Sequence, residues 1–325
     1  MGVATKHPPN NTTMKTNTKL AVAFLAAASS IAAQAADAPA PAVTFSGYAV
    51  VTGSITKDSG AASVSDLDLT AAKFGVTAKL ATNVSAYASL YYNGTTADLL
   101  DAYVTFDAGS GLTITAGNFL SYMGYEAFDA INMAQISYAN GGLLGGPVPA
   151  YHTGVKFDYT SGVHGIGAAV VDSIYGSTLF NGDGDYTSKG LEAYYTYKGI
   201  KDTQIWLGGL QDNDNGGAVY DLWVSYALNK TDSLGAEYLV KESDGYNWLL
   251  AYTKGIDSKL SVTARLSGED STVADASFVK YTVSPSYAFT DKFSVRAEVS
   301  YTDYSGAGAA TSSSTFYAIQ SLFKF

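Results

Sequence analysis

Short stretches of alternating apolar and polar residues recur along the chain from about residue 43 to its last residue. In the clearest stretch, residues 293–302, apolar and aromatic side chains occupy every second position, with serine, arginine, glutamate and threonine between them. A two-residue period is typical of β-strands, whose successive side chains point to opposite faces. About sixteen strands are predicted, near residues 43–55, 68–80, 84–93, 98–107, 111–119, 152–160, 163–172, 188–198, 202–211, 218–229, 233–242, 246–254, 259–268, 277–289, 292–304 and 314–325.

The links between these stretches alternate in length. Every second link is a tight turn, whereas most of the others are long and rich in Gly, Ser, Asp and Asn. Short turns on one side and long loops on the other are typical of outer-membrane barrels, and a soluble sandwich has no reason to keep this parity. We therefore predict an all-β fold, a closed antiparallel transmembrane β-barrel of about 16 strands. Its apolar face meets lipid and its polar face the lumen, with long extracellular loops and short periplasmic turns.

The first 35 residues have the pattern of a secretory leader. Lys15 and Lys19 precede an apolar segment at 20–33, which ends at the small-residue cleavage site Ala33-Gln34-Ala35. The segment is shorter than the roughly 20 residues that a membrane-spanning helix needs, so an uncleaved anchor is the weaker alternative. We predict a signal peptide over residues 1–35 (1–13 being an extension upstream of Met14), a linker at 36–42 and a single barrel domain at 43–325.

Composition limits the function classes. The chain has 13% aromatic residues, no cysteine and a formal net charge of −10. An acidic balance argues against nucleic acid as a partner. Much of the acidity falls in predicted loops, for example at Asp212, Asp214, Glu269 and Asp270.

Residues 120–151 form the third predicted outer loop, and it is longer than ordinary loops. It is also rich in tyrosine, methionine, isoleucine and leucine, and a loop this apolar needs a surface to pack on. We predict that it folds into the barrel mouth and narrows the lumen, with a short helix near 127–134. Tyr125, Glu126 and Asp129 are the candidates for the constriction on this loop.

Charged residues on the polar face of three consecutive predicted strands are the matching candidates on the wall. Arg265, Lys280 and Arg296 lie on these strands, and Glu298 shares a face with Arg296. Opposed charges across a narrow opening would set up a transverse field that orients polar solutes. The alternative is that these are solvated lumen residues with no special geometry.

Several short motifs carry a resemblance to a known family. They are Gly117-Asn118-Phe119, Gly124-Tyr125-Glu126, Asn132, Ser137, Pro149, His152-Thr153-Gly154-Val155, Phe289-Thr290-Asp291-Lys292 and Arg296-Ala297-Glu298. Over residues 43–325 the chain resembles the β-barrel porin family of OmpL-like outer-membrane proteins. The resemblance implies a pore and no catalytic residues. The third loop also resembles the inward-folded constriction loop of sixteen-stranded general porins. The same analogy suggests a homotrimer, with a monomer as the alternative.

These patterns predict an outer-membrane porin of a Gram-negative-type bacterium, a passive diffusion channel for small hydrophilic solutes or ions. A structural or adhesive barrel and a barrel hydrolase are the alternatives. His152 and His164 are expected at opposite ends of neighbouring strands, too far apart to share a catalytic site. We predict no catalytic residue, metal site or cofactor. The expected partners are outer-membrane lipids, lipopolysaccharide and the barrel-assembly machinery, which we expect to read Phe323 and Phe325 as an assembly signal.

Overall fold

The computed structural model describes residues 42–174, 189–212 and 217–325. In these ranges sixteen antiparallel strands follow one another around a closed barrel, with β1 paired to β16. They are β1 Val43–Asp58, β2 Val64–Ala81, β3 Val84–Tyr92, β4 Ala97–Gly109, β5 Leu112–Leu120, β6 Tyr151–Ser161, β7 His164–Val171, β8 Gly190–Tyr197, β9 Thr203–Asp212, β10 Ala218–Ala227, β11 Ser233–Lys241, β12 Gly245–Gly255, β13 Leu260–Ser271, β14 Ala276–Thr290, β15 Phe293–Ser305 and β16 Ser313–Lys324. The predicted fold class is confirmed.

The two faces of the strands differ as the alternation predicts. On β14, Tyr281 and Val283 are 54% and 51% exposed on the outer surface, whereas Thr282 between them is 2% exposed. On β15, Val299 is exposed and Ser300 is buried. Because a one-residue slip would exchange the two faces, this burial pattern fixes the register of each strand. The apolar face is therefore the outer one, and the polar face surrounds the lumen.

Some strands are longer than the sequence pattern predicts. β13 runs to Ser271, so Glu269 and Asp270 are strand residues paired with β12 and β14 and not loop residues. Asp212 likewise belongs to β9 and is buried. The prediction that these acids lie in loops is wrong, because hydrogen-bonded ladders with the neighbouring strands outweigh the local turn preference of Asp, Glu and Ser. Asp214 lies outside the described residues.

The first hairpin shows the same effect. The predicted link at residues 56–66 shrinks, because β1 continues to Asp58 and β2 begins at Val64. Lys57 pairs with Thr315 on β16, so the closing seam supports the extension of β1. The predicted leader and all but the last residue of the predicted linker lie outside the described residues. In the described ranges, no helix has the length and apolar character to span a membrane.

Candidate functional site

The loop between β5 and β6, residues 121–150, lies inside the barrel. The backbone N–H of Ser121 donates to the carbonyl of Ala150 (2.9 Å), which closes the neck of the loop where the two strands end. Within the described loop the helical structure is a single 3₁₀ turn, Ala130–Asn132. The expected helix near Ala127–Ala134 is therefore reduced to one turn.

An arginine of the wall explains why the helix is so short. The Arg296 guanidinium donates to the backbone carbonyls of Met133 (2.6 Å) and Gln135 (2.9 Å). A longer helix would need such carbonyls to accept from N–H groups four residues further along the chain. Because both carbonyls point at the wall instead, the loop adopts an extended path across the lumen.

Carboxylates of the wall bind the N–H groups of the loop. These residues, here called the acidic anchors, project from β8, β10, β11, β13 and β15. The contacts, from loop donor to wall acceptor, are Tyr122 to Glu192 (3.2 Å), Gly124 to Asp221 (3.0 Å), Tyr125 to Glu237 (2.6 Å), Gly141 to Glu269 (2.7 Å) and Ile136 to Glu298 (2.6 Å). A buried N–H group without an acceptor is costly, so each of these contacts fixes a point of the loop on the wall.

Basic side chains of the wall bind the carbonyls of the loop. These basic anchors are Lys241, Arg265, Lys280 and Arg296, on β11, β13, β14 and β15. Lys241 Nζ donates to Leu144 O (2.7 Å) and Lys280 Nζ to Tyr138 O (2.9 Å). The Arg265 guanidinium donates to the carbonyls of Ser137 (2.8 Å) and Tyr138 (3.1 Å). The loop backbone, which has few partners of its own, is thus satisfied by the charged side chains of the wall.

The predicted constriction residues of the loop lie at different points of this network. Glu126 contacts Arg265 directly. Arg265, which is 3% exposed, therefore meets the predicted acid within the loop and not across an open gap. Asp129 lies against β1, four strands from β13 around the ring, where it accepts a hydrogen bond from Tyr48 (2.8 Å).

Tyr125 packs against the wall. Its ring lies 5.8 Å from that of Trp223, and a Cβ added at Gly235 would come within 2.0 Å of the Tyr125 hydroxyl. Glycine at position 235 therefore leaves the space that the tyrosine occupies. Burial raises the pKa of Tyr125, and the charges of Glu126 and Glu237 raise it further, so the phenol stays neutral.

Lys73 is a site residue that the sequence did not reveal. Its Nζ lies 3.0 Å from Asp101 Oδ2 and 3.3 Å from Asp129 Oδ1, and it donates to the Tyr151 hydroxyl (3.3 Å). The cluster joins β2, β4 and the loop, and it extends the attachment of the loop beyond β15, three strands away from β2 around the ring. The sequence shows Lys73 and Asp101 only as charged residues on the polar faces of β2 and β4. Their contact with Asp129 depends on the closed barrel.

The acidic anchors Glu192, Asp221 and Glu237 were also missed, and Glu269 was assigned to a loop. Each lies on the polar face of its strand, where sequence alone does not separate a solvated acid from a buried one. Glu192, Asp221 and Glu269 are no more than 2% exposed. Buried carboxylates need partners, and here the loop supplies them.

An apolar cluster inside the barrel supports the beginning of the loop. Phe119, Met123, Trp206 and Leu239 are buried together, and Tyr194 and Trp223 pack against them. The Trp206 and Trp223 rings are nearly parallel, with centroids 5.8 Å apart. The cluster gives the apolar beginning of the loop a surface to pack on.

Serine, glutamate and histidine meet at the neck of the loop in an order that does not suit hydrolysis. Ser121 Oγ donates to Glu192 Oε1 (2.6 Å), and His152 Nε2 lies 3.4 Å from Glu192 Oε2. In a nucleophilic triad the histidine lies between the serine and the acid, so that it can take the serine proton. Here the acid lies between the two, and His152 is fully buried.

His164 begins β7, at the end of the β6–β7 hairpin opposite His152, and forms a hydrogen bond with the Tyr195 hydroxyl (2.7 Å). Over the residues that the structure describes, no group of three or more His, Cys, Asp or Glu side chains is arranged to hold a metal ion.

The fold resembles solved porin structures. The anion-selective porin from Comamonas acidovorans superposes with a TM-score of 0.67 at 12% identity, covering 88% of this chain and all of that one. OprB of Pseudomonas putida superposes with a TM-score of 0.71 at 10% identity, covering 87% of this chain and 94% of that one. The trimer form of OmpT of Vibrio cholerae gives 0.58 at 16% identity, covering 87% and 100%. At these identities the likeness shows the fold. No curated protein sequence matches this chain.

A family model gives the more specific result. The family described as "Putative beta-barrel porin-2, OmpL-like" matches residues 66–325, which include β2 from its third residue and all of β3–β16. With the closed barrel, this match confirms the prediction of a porin in the outer membrane. The chain belongs to the OmpL-like beta-barrel porin-2 family.

Proposed function

We propose that the chain passes small hydrophilic solutes and ions by diffusion, and that the loop at residues 120–151 sets the size limit. The lumen face carries serine, threonine and charged residues, which suit an aqueous path. The loop crosses this path at the level of the acidic and basic anchors. Passage is therefore confined to the part of the cross-section that the loop leaves free.

The attachment of the loop on opposite sides of the barrel is the observation that carries this proposal. Glu298 and Arg296 on β15 bind residues 133–137, and Lys73 on β2 and Tyr48 on β1, close to β15 in the closed ring, bind Asp129. Glu192 on β8, on the opposite side of the ring, binds the neck. A loop fixed at several points around the wall narrows the channel permanently, in contrast to a loop that only hangs over the mouth.

Planar-bilayer recording of the purified protein tests the proposal. We expect stable single-channel steps, and a larger conductance after deletion of residues 124–140. Deletion of residues 308–311, in the outer link between β15 and β16, is the matched control and leaves conductance unchanged. A silent wild-type protein overturns the diffusion channel and favours a structural or adhesive barrel. Equal conductance in the wild type and the 124–140 deletion overturns the role of the loop.

We infer a homotrimer that joins its protomers through β1–β5. Large apolar residues exposed on the outer face of β1–β5 include phenylalanine, leucine and valine but no tyrosine, whereas β6–β16 expose many tyrosines. Tyrosine suits the membrane interface, because its ring is apolar and its hydroxyl reaches water. A wall without such a belt is better suited to another barrel than to lipid. Cross-linking of the folded protein in detergent tests this, and a purely monomeric product contradicts it.

We also propose that residues 1–35 are removed on export and that the barrel has no catalytic role. The acidic net charge supports the exclusion of nucleic acid as a partner. Mass spectrometry of protein recovered from outer membranes tests the leader, with a mature chain starting at residue 36 as the expected result.

A further inference from the structure

Most basic side chains buried or half-buried on the lumen face are already bound. Lys73 pairs with Asp101 and Asp129, and Arg265 pairs with Glu126. Lys241, Lys280 and Arg296 donate to carbonyls of the loop. Because these side chains are already paired or hydrogen-bonded, few of their donors are available to bind a passing solute.

Lys156, in the middle of β6, differs from these residues. Among the described residues it has neither a hydrogen bond nor an ion pair, and it is only partly buried. Its Nζ lies 4.9 Å from the centre of the Phe119 ring and 5.0 Å from that of Tyr122. Aromatic faces attract an ammonium group, but they are not conventional hydrogen-bond acceptors. The rings therefore position the charge and leave its N–H groups available to a ligand.

Lys156 lies on the lumen face of β6 and is partly exposed. The loop is hydrogen-bonded to β1, β2, β8, β10, β11 and β13–β15. On the arc β4–β7 the loop meets the wall near its neck, where Met123 packs with Phe119 and Val171 and Tyr122 lies over Lys156. We place the free passage along the rest of this arc. Lys156 projects from this arc beside the neck of the loop, where Tyr122 lies.

Three carboxylates, those of Asp158, Glu192 and Asp101, interact electrostatically with Lys156, and each already has another partner. Asp158, two residues further along β6, accepts from the Tyr194 hydroxyl (3.0 Å). Asp101 is paired with Lys73, and Glu192 accepts from Ser121 and Tyr122. These acids favour cations in the passage, and Lys156 opposes them.

We infer that Lys156 determines the ion specificity of the channel by attracting small anions, such as chloride or carboxylates, into the passage beside β4–β7. This inference rests on the diffusion channel proposed above. At about 7 Å in water, a unit charge changes the local concentration of a monovalent ion about threefold. The effect has opposite sign for anions and cations, so the anion-to-cation permeability ratio changes by about an order of magnitude.

Reversal potentials of the purified protein in a planar bilayer, under a gradient of potassium chloride, test the inference. We expect Lys156→Gln to lower the chloride-to-potassium permeability ratio about threefold at 0.1 M salt, where screening already halves the effect of the charge, and less at 1 M. Lys156→Arg keeps the charge and should keep the ratio. Lys79→Gln, near the periplasmic end of β2 where the side chain is exposed, is the matched control and should leave the ratio unchanged.

The outcomes separate this inference from the proposed function. A conducting Lys156→Gln channel with the wild-type ratio overturns the role of Lys156 and leaves the diffusion channel standing. An equal shift in Lys79→Gln also overturns it, because any lysine would then serve. A silent wild-type protein contradicts the diffusion channel itself. Heat-modifiable mobility in gels shows whether each variant is folded. If Lys156→Gln does not fold, Lys156→Arg still tests the inference. A changed permeability ratio in Lys156→Arg would contradict an effect of the charge.

Discussion

Glu298 is the anchor whose removal should loosen the loop most clearly. Its carboxylate accepts from the backbone N–H groups of Ile136 (2.6 Å) and Ser137 (3.1 Å), and also binds the Ser137 hydroxyl. Glu298 is 1% exposed, so these donors have no ready access to bulk water. Replacement by alanine leaves them without this acceptor.

The structure allows the cost to be estimated. A hydrogen bond to a charged group contributes about 1.5–3 kcal/mol, so losing the two backbone bonds costs the anchored segment at least about 3 kcal/mol. Each 1.4 kcal/mol corresponds to a tenfold change in an equilibrium constant. The population in which this segment leaves the wall should therefore rise about a hundredfold in Glu298→Ala.

Thiol labelling measures this population, because the natural chain has no cysteine. Gln135→Cys places a thiol at a position that is 3% exposed, next to the segment that Glu298 binds. We expect its labelling rate to rise about a hundredfold when Glu298→Ala is added, toward the rate of Ala134→Cys at an exposed position. Asp303→Ala, an exposed acid on the same strand, is the control.

Unchanged protection of the thiol in the Glu298→Ala background would refute the anchoring argument. Glu298→Gln provides a graded comparison, because its amide oxygen accepts one hydrogen bond without the charge. The labelling rate of the thiol in Glu298→Gln should lie between the rates in the wild-type and Glu298→Ala backgrounds. A Gln variant that labels faster than the Ala variant would also contradict the reasoning.

Two further predictions concern stability and assembly. Lys73→Met leaves Asp101 and Asp129 without their cation. We expect the unfolding free energy of the barrel, measured in urea, to fall by about 3–5 kcal/mol. Adding Asp101→Asn should recover part of this loss, and no recovery would contradict the pairing. Phe325→Ala removes a ring that packs beside Gly47, and we expect several-fold less heat-modifiable protein in the outer membrane. The control is Phe289→Ala, which removes an equally exposed ring on β14. An equal loss in the control would argue against a special role for position 325.

The strands could be predicted because their signal is local. A two-residue period assigns each side chain to a face, and all sixteen predicted stretches correspond to strands. The ends were less accurate: β2 begins four residues before the predicted start, at Val64. Pairing with both neighbours lengthens a strand beyond its apolar pattern, and that pairing is set by the neighbouring strands.

The candidate site could be predicted in part. The inward loop, the lumen face of Arg265 and Arg296, and the presence of Glu126 and Asp129 on the loop followed from composition and parity. Asp129, however, meets Lys73, which lies 56 residues away in the chain. The number of strands and their stagger decide which side chains meet across the lumen.

The amino-acid sequence by itself determined the barrel, the outward direction of its apolar face and the existence of a long apolar loop, because alternation and turn length are properties of neighbouring residues. Only the tertiary structure decided what the lumen charges do. The closed ring brings β1 next to β16 and lays the loop against strands far apart in the chain. Buried Glu298 and Arg265 bind the loop there, whereas Lys156 is left to face the passage. Burial and proximity, which no local pattern encodes, separate the charges that hold the loop from the charge that meets the solute.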